Sequence, residues 1–275
     1  MHKFKTFLKR VLPIHVQKFL KIIYLPYVNY RNNKTLHFQV HLTYHCNLGC
    51  KGCSHFSSIS KDKYLDVETF ESDFKQLQSL TKNKIRQIDL LGGETLLHPQ
   101  INIFLSIARK YFKRSKIILF TNGILLKNMP NEFWDICAIN NIVISISNYP
   151  IKLDINNIME KSKRHNVDIY TSKKRTFGYF KMDIKGLQNA EANIEKCFES
   201  KNCHCLDHGK MYLCYIPACI NIFNDFFNKN IPVIEEDYID IYKVKHIKDI
   251  IQHMRKPMIF CKLYKHSNSL TVTSE

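Results

Sequence analysis

The sequence predicts an α/β fold in which parallel strands alternate with helices. Three observations carry this. Short apolar runs with period-2 spacing recur between residues 37 and 175. Longer stretches with near-helical spacing separate them. Gly and Pro are scarce, with 8 of each in 275 residues, so no long flexible linker is expected.

The elements follow in order. Phe38–Tyr44 (FQVHLTY) alternates as a strand. Asp66–Leu80 reads as a helix with apolar Val67, Phe70, Phe74, Leu77 and Leu80. Ile85–Leu91 is a strand, and Ile101–Phe112 a helix that opens just after Pro99. Lys116–Thr121 (KIILFT) is a short buried strand. Glu132–Ile139 is helical, Ile142–Ser147 (IVISIS) a strand, Ile155–Lys163 a helix and Val167–Thr171 a strand. Strands joined through helices pair in parallel with right-handed crossovers. The result is a layered α/β sheet or a barrel-type sheet, with its site at the carboxyl ends of the strands.

Composition bounds the function. Hydrophobic residues make up 45% and charged residues 24%, which excludes collagen-like, coiled-coil and wholly disordered chains. No apolar run is long enough to span a bilayer. The first 20 residues are basic but lack a continuous apolar core, so no signal peptide is read. Ten Cys without an export signal imply a reducing, cytoplasmic setting where thiols bind metal or react. The net charge is +17. Lys supplies 33 of the 41 cations and Arg only 8, whereas phosphate and base recognition favour the Arg fork. A solvated basic surface is therefore expected and a nucleic-acid partner is not. Residues 1–36 read as a basic helical extension, with Phe4, Phe7, Leu8, Val11, Leu12, Val16, Phe19 and Leu20 at near-helical spacing and a break at Pro13.

Directly after the first strand comes Cys46-Asn47-Leu48-Gly49-Cys50-Lys51-Gly52-Cys53. Structural zinc sites close with four ligands. Here the local set stops at three thiols, although His45 and His55 flank it. Three thiolates around a four-iron cubane leave one iron open, and an open position takes substrate or cofactor. Gly49 and Gly52 are expected to let the loop wrap closely.

This loop resembles the signature of the radical S-adenosylmethionine (SAM) enzymes. Gly92-Gly93-Glu94 at the end of the second strand matches that superfamily's Gly-Gly-Glu motif, which implies contact with the amino group of SAM. Thr121-Asn122-Gly123 ends the third strand, and Ser145, Ser147 and Asn148 end the fourth, where the resemblance implies further SAM contacts. The cofactor set so implied is Gly92, Gly93, Glu94, Asn122, Ser145 and Ser147, with Cys46, Cys50 and Cys53 holding a [4Fe–4S] cluster. The implied architecture is a partial (β/α)6 TIM-type barrel over residues 37–180. Gly52 departs from the pattern, because many members carry an aromatic residue there.

Cys137 reads as a small buried hydrophobe. The remaining six Cys crowd between Cys197 and Cys261, and metal ligation suits them better than disulfides or zinc. The stretch Cys203–Cys214, with Gly209-Lys210-Met211-Tyr212, is similar to the auxiliary-cluster regions called SPASM or twitch. The resemblance implies a small Cys-rich α+β extension over residues 181–275, with a second [4Fe–4S] cluster on Cys197, Cys203, Cys214 and Cys261. Cys205 and Cys219 are the alternative ligands, and whichever stay outside the clusters are candidate hydrogen donors. Lys210–Tyr215 looks like one arm of a small hairpin. The chemistry implied is reductive cleavage of SAM to a 5′-deoxyadenosyl radical, with an electron from flavodoxin or ferredoxin, and hydrogen abstraction from a small-molecule substrate. A carbohydrate or aminocyclitol undergoing dehydrogenation or epimerisation is expected, with a peptide or RNA substrate as the alternative.

Overall fold

The computed structural model describes residues 36–82, 84–172, 181–197, 200 and 204–265. The chain divides into a short unit, residues 1–36, and a second unit, residues 37–275, which is the one described below. The basic extension and the last ten residues lie outside the described residues, as does Cys203.

The strands are β1 (Leu36–Thr43), β2 (Ile85–Gly92), β3 (Lys116–Thr121), β4 (Ile142–Ile146) and β5 (Ile169–Thr171). Between them run α1 (Val67–Thr81), α2 (Ile101–Tyr111), α3 (Asn131–Ile139) and α4 (Ile155–His165). Each expected element forms within two residues of its reading. Local chemistry explains the boundaries. The Asp66 carboxylate accepts from the Thr69 amide at 2.7 Å and opens α1, while Lys82 closes it in the left-handed conformation. Asp154 and Asn166 do the same for α4.

The chain continues through β6 (Lys181–Met182), α5 (Ala190–Lys196), β7 (His204–Asp207), β8 (Lys210–Tyr212), α6 (Tyr215–Phe227), β9 (Tyr238–Asp240), α7 (Ile247–His253) and β10 (Tyr264–Lys265). One eight-stranded sheet runs in the order β5-β4-β3-β2-β1-β7-β8-β9, and β10 pairs with β6 separately. The sheet is open, with β5 and β9 at its edges. Pairs β2–β3, β3–β4, β4–β5 and β1–β7 are parallel. β7 and β8 form the expected hairpin, turning at His208 and Gly209, both with positive φ.

The sixth parallel strand, β7, thus arises inside the Cys-rich segment. Only four residues long, it is too short for its alternation to stand out among clustered Cys. The 13-residue α6 was not anticipated either. Its first turn contains Pro217, which an N-terminal turn tolerates.

Alternation divides each central strand between two faces. Phe38, Val40 and Leu42 of β1 are buried together with Phe70, Phe74 and Leu77 of α1. Phe38 meets the rings of Phe74 and Phe112 edge-on, at 5.9 and 6.3 Å. The opposite face is polar. It carries Gln39 and His41 of β1, and register places Cys205 of β7 beside Gln39 on that same side. α6 covers this region, with Cys219 Sγ 3.6 Å from His41 Nδ1.

Candidate functional site

The three thiols of Cys46, Cys50 and Cys53 sit in the loop that leaves the carboxyl end of β1, each half-buried. Burial pushes the Cys46 thiol up to about 11, against a hydrogen bond from the Leu48 amide and with added repulsion from Glu94, Cys50 and Cys53. The trio therefore shares one electrostatic neighbourhood. Yet among the described residues no three His, Cys, Asp or Glu side chains converge on a single-ion site. Three soft thiolates in one short loop are a donor set suited to an iron–sulfur centre. Metal binding by Cys46 and Cys50 must displace the protons that burial helps them retain.

The loop owes its shape to fewer glycines than expected. Gly52 sits at φ 67°, where a side chain is strained. At Gly49 a Cβ meets nothing within 4 Å. The expectation that Gly49 enables close wrapping is corrected: the tight approaches lie on the other side of the contact, at Gly92 and Gly93. A Cβ on Gly92, whose φ is 153°, falls 2.1 Å from the Thr43 carbonyl oxygen. A Cβ on Gly93 falls 1.9 Å from the His45 carbonyl oxygen. The Gly93 amide donates to Thr43 O and the Glu94 amide to His45 O, both at 3.0 Å. The end of β2 is thus laid backbone to backbone against the root of the thiol loop.

Glu94 is fully buried and ties three strand ends together. Its Oε1 accepts from the Leu96 amide at 3.0 Å and the Thr121 hydroxyl at 2.6 Å, and its Oε2 accepts from the Asn122 amide at 2.7 Å. Burial raises its carboxyl above the usual range, and these three bonds oppose the rise. Asn122 turns its side chain toward the thiol loop. Its Nδ2 donates to Asn47 Oδ1 at 2.7 Å and lies 3.8 Å from Cys46 Sγ. Ser145 is buried and hydrogen-bonded to Tyr170. The Ser147 amide donates to the Thr121 carbonyl at 2.9 Å.

Sequence reading missed Tyr149, which follows β4. Burial raises its hydroxyl, and the charges of Cys50, Cys53, Cys46 and Glu94 add to the rise, so it stands within reach of the whole trio. Its position just past a strand's carboxyl end was the available signal. His41 was also missed. It is fully buried between β7 and α6, with Cys219 Sγ at 3.6 Å and Cys205 Sγ at 3.8 Å from Nδ1. Burial lowers its imidazole to about 4, despite the attraction of Asp207. His55 stacks on Tyr215 at 4.1 Å and meets His41 edge-on at 5.0 Å.

The second Cys group splits in the described residues. Cys197 ends α5 and lies in electrostatic reach of Cys261, whose carbonyl accepts from Asn193 Nδ2 at 2.8 Å. Cys214 caps the N-terminus of α6, in reach of Cys205. Cys203 is outside the described residues.

Residues 37–167 match a family model described as a 4Fe-4S single cluster domain. The thiol loop, the Gly-Gly-Glu turn packed on it and strands β2, β3 and β4 lie in this span, whereas β5 and β7 lie beyond it. The matched span covers just under half of the chain. The chain is 29% identical over 105 residues to a GTP 3′,8-cyclase of Aliarcobacter butzleri (strain RM4018), covering 37% of this chain and 32% of that protein. It is 34% identical over 92 residues to the antilisterial bacteriocin subtilosin biosynthesis protein AlbA of Bacillus subtilis (strain 168), covering 34% of this chain and 19% of AlbA. The match thus spans about a third or less of these relatives. Among solved structures, BtrN in complex with AdoMet and 2-DOIA shares the fold at a TM-score of 0.52 and 17% identity, covering 83% of this chain and 92% of BtrN. No helix among the described residues is long and apolar enough to cross a membrane.

Proposed function

We propose that this protein is a radical SAM enzyme that abstracts hydrogen from a carbohydrate or aminocyclitol, with dehydrogenation or epimerisation as the outcome. One observation carries the reading: three thiols at the carboxyl end of β1, with the Gly92-Gly93-Glu94 turn locked against the backbone of their loop. Cys46, Cys50 and Cys53 are the cluster ligands. When bound, the cluster and SAM supply one-electron cleavage of a sulfonium and a 5′-deoxyadenosyl radical. The chain's own part is positional. Glu94 fixes the ends of β2 and β3 through its carboxylate, and the Gly92-Gly93-Glu94 turn is the proposed contact for the amino group of SAM. Ser145 and Ser147, at the end of β4, are the proposed further contacts for SAM.

Fold likeness supports the carbohydrate or aminocyclitol reading. BtrN, which shares the fold, is a complex with 2-DOIA and AdoMet. The likeness to AlbA, a bacteriocin biosynthesis protein, favours the second reading, a peptide substrate.

Cys197, Cys203, Cys214 and Cys261 are proposed as ligands of an auxiliary cluster, which would accept the substrate's electron in a dehydrogenation. Cys205 and Cys219 are the candidate donors for an epimerisation. Burial raises both thiols well above their usual range, which keeps them as S–H. A donor that hands its hydrogen atom to the substrate radical is left one electron and one proton short, and the flavodoxin or ferredoxin donor restores the electron while water supplies the proton. Anaerobically reconstituted protein given SAM and dithionite is expected to release 5′-deoxyadenosine, faster with the true substrate. Aminocyclitols and sugars assayed in deuterated water then separate exchange from two-electron oxidation. Turnover of a peptide alone would replace the saccharide reading with the peptide one.

A further inference from the structure

The Asn122 side chain is almost fully buried at the carboxyl end of β3, and every polar atom it has is committed. Oδ1 accepts from the Ile124 amide at 3.0 Å. That bond fixes the orientation of the amide group, because the NH2 end cannot accept. Nδ2 must therefore face the thiol loop. One hydrogen goes to Asn47 Oδ1 at 2.7 Å, and the other faces Cys46 Sγ at 3.8 Å. The Leu48 amide approaches the same sulfur at 3.4 Å. Cys46 thus receives two donors, one from its own loop and one from a strand 76 residues away.

From this arrangement we infer that Asn122 is a positioning residue for the iron–sulfur cluster, not a SAM contact. It clamps the thiol loop through Asn47, and it raises the cluster's reduction potential by donating to the Cys46 sulfur. The physical reason is direct. Reduction adds negative charge to the cluster and its sulfur ligands, and a donor aimed at a sulfur stabilises the reduced state. The clamp also explains why Asn follows Thr121. The Asn122 backbone amide is held by Glu94 Oε2, so the side chain starts from a fixed point. A one-carbon-longer Gln has no such registry with Asn47.

The inference rests on Cys46 being a cluster ligand, so the test separates the two ideas. Wild type, Asn122→Ala, Asn122→Asp, Asn47→Ala and the Asn47→Ala/Asn122→Ala double variant are reconstituted anaerobically. Iron and sulfide are counted, and midpoint potentials are read by EPR-monitored titration without SAM. The expected order of potentials is wild type highest, Asn122→Ala lower and Asn122→Asp lowest, because aspartate places a negative charge beside the sulfur. The double variant is expected to match Asn122→Ala instead of adding the two shifts, because Asn47 acts through Asn122. The affinity for SAM is expected to change by less than the cluster potential. Equal potentials across loaded variants would overturn the inference and leave the cluster assignment standing. So would a variant that loses SAM binding at an unchanged potential. If Asn122→Ala fails to load a cluster, Asn47→Ala carries the test, and its potential must fall. A wild-type protein that holds no cluster would instead overturn the ligand assignment beneath it.

Discussion

Gly93→Ala tests the contact on which the site depends. The added Cβ falls 1.9 Å from the His45 carbonyl oxygen, 2.3 Å from its carbon and 2.9 Å from the Cys46 nitrogen. All three are backbone atoms, so no side chain can swing aside. Restoring an ordinary contact needs a shift of roughly an ångström, which overpacked sites resist at about 1–3 kcal/mol. The shift also breaks the Gly93–Thr43 and Glu94–His45 backbone bonds, each worth about 1 kcal/mol. A total of about 4 kcal/mol lowers the melting temperature by roughly 10 °C for a chain of this size. Gly49→Ala is the control, in the thiol loop itself, where a Cβ meets nothing within 4 Å. Differential scanning fluorimetry of the apoproteins and iron content after reconstitution give the comparison. Gly93→Ala is expected to melt early and to hold less than half the wild-type iron, with Gly49→Ala near wild type in both. Equal melting of Gly93→Ala and wild type would refute the packing argument.

Three further outcomes follow from the same geometry. Glu94→Gln puts an NH2 group against a backbone or hydroxyl donor now held by carboxylate oxygens, so urea unfolding is expected to show a loss of about 2 kcal/mol, and equilibrium dialysis a weaker hold on SAM. Asp73→Ala removes the acceptor for the Gly209 amide and the Tyr242 hydroxyl, each at 2.8 Å; a loss of about 3 kcal/mol in urea is expected, with faster hydrogen exchange in the β7–β8 turn. His41 gives a pH signature. Its folded imidazole titrates near 4 and its unfolded form near 6.5, so below 6.5 the unfolded chain binds the extra proton and stability falls with pH. Its contribution is complete above 6.5 and declines by about 2 kcal/mol by pH 5. Asp207, Cys205, Cys219, Tyr44, His55 and Tyr215 surround the ring, so the slope is read as the difference between wild type and His41→Gln. A variant with an unchanged slope would contradict the assignment.

Most of the parallel core was legible in the sequence because its strands are buried on the helix side. Phe38, Val40 and Leu42 alternate with Gln39, His41 and Thr43, and such period-2 patterning survives without any structure. The thiol loop and Glu94 were legible because their meaning lies in short spacing at a strand's end. What stayed hidden depends on contacts distant in sequence. β7 is defined by its pairing with β1, not by its four residues. His41 is remarkable for no local pattern; its burial comes from β7 and α6, over 160 residues away. The role of Gly93 was legible only as a motif, because the atom it makes room for belongs to His45, 48 residues earlier. The Asn122–Asn47 hydrogen bond was invisible for the same reason, since the two residues lie 75 positions apart.

The central claim is a cubane bound by Cys46, Cys50 and Cys53 with one iron left for SAM. EPR of the dithionite-reduced protein, recorded with and without SAM and alongside Mössbauer spectra, tests it most directly. The account predicts a [4Fe–4S] signal whose g-values shift when SAM is added, and loss of that signal when any of the three Cys is replaced by Ala. A SAM-insensitive spectrum, or a colourless protein that holds zinc in place of iron and sulfide, would contradict it.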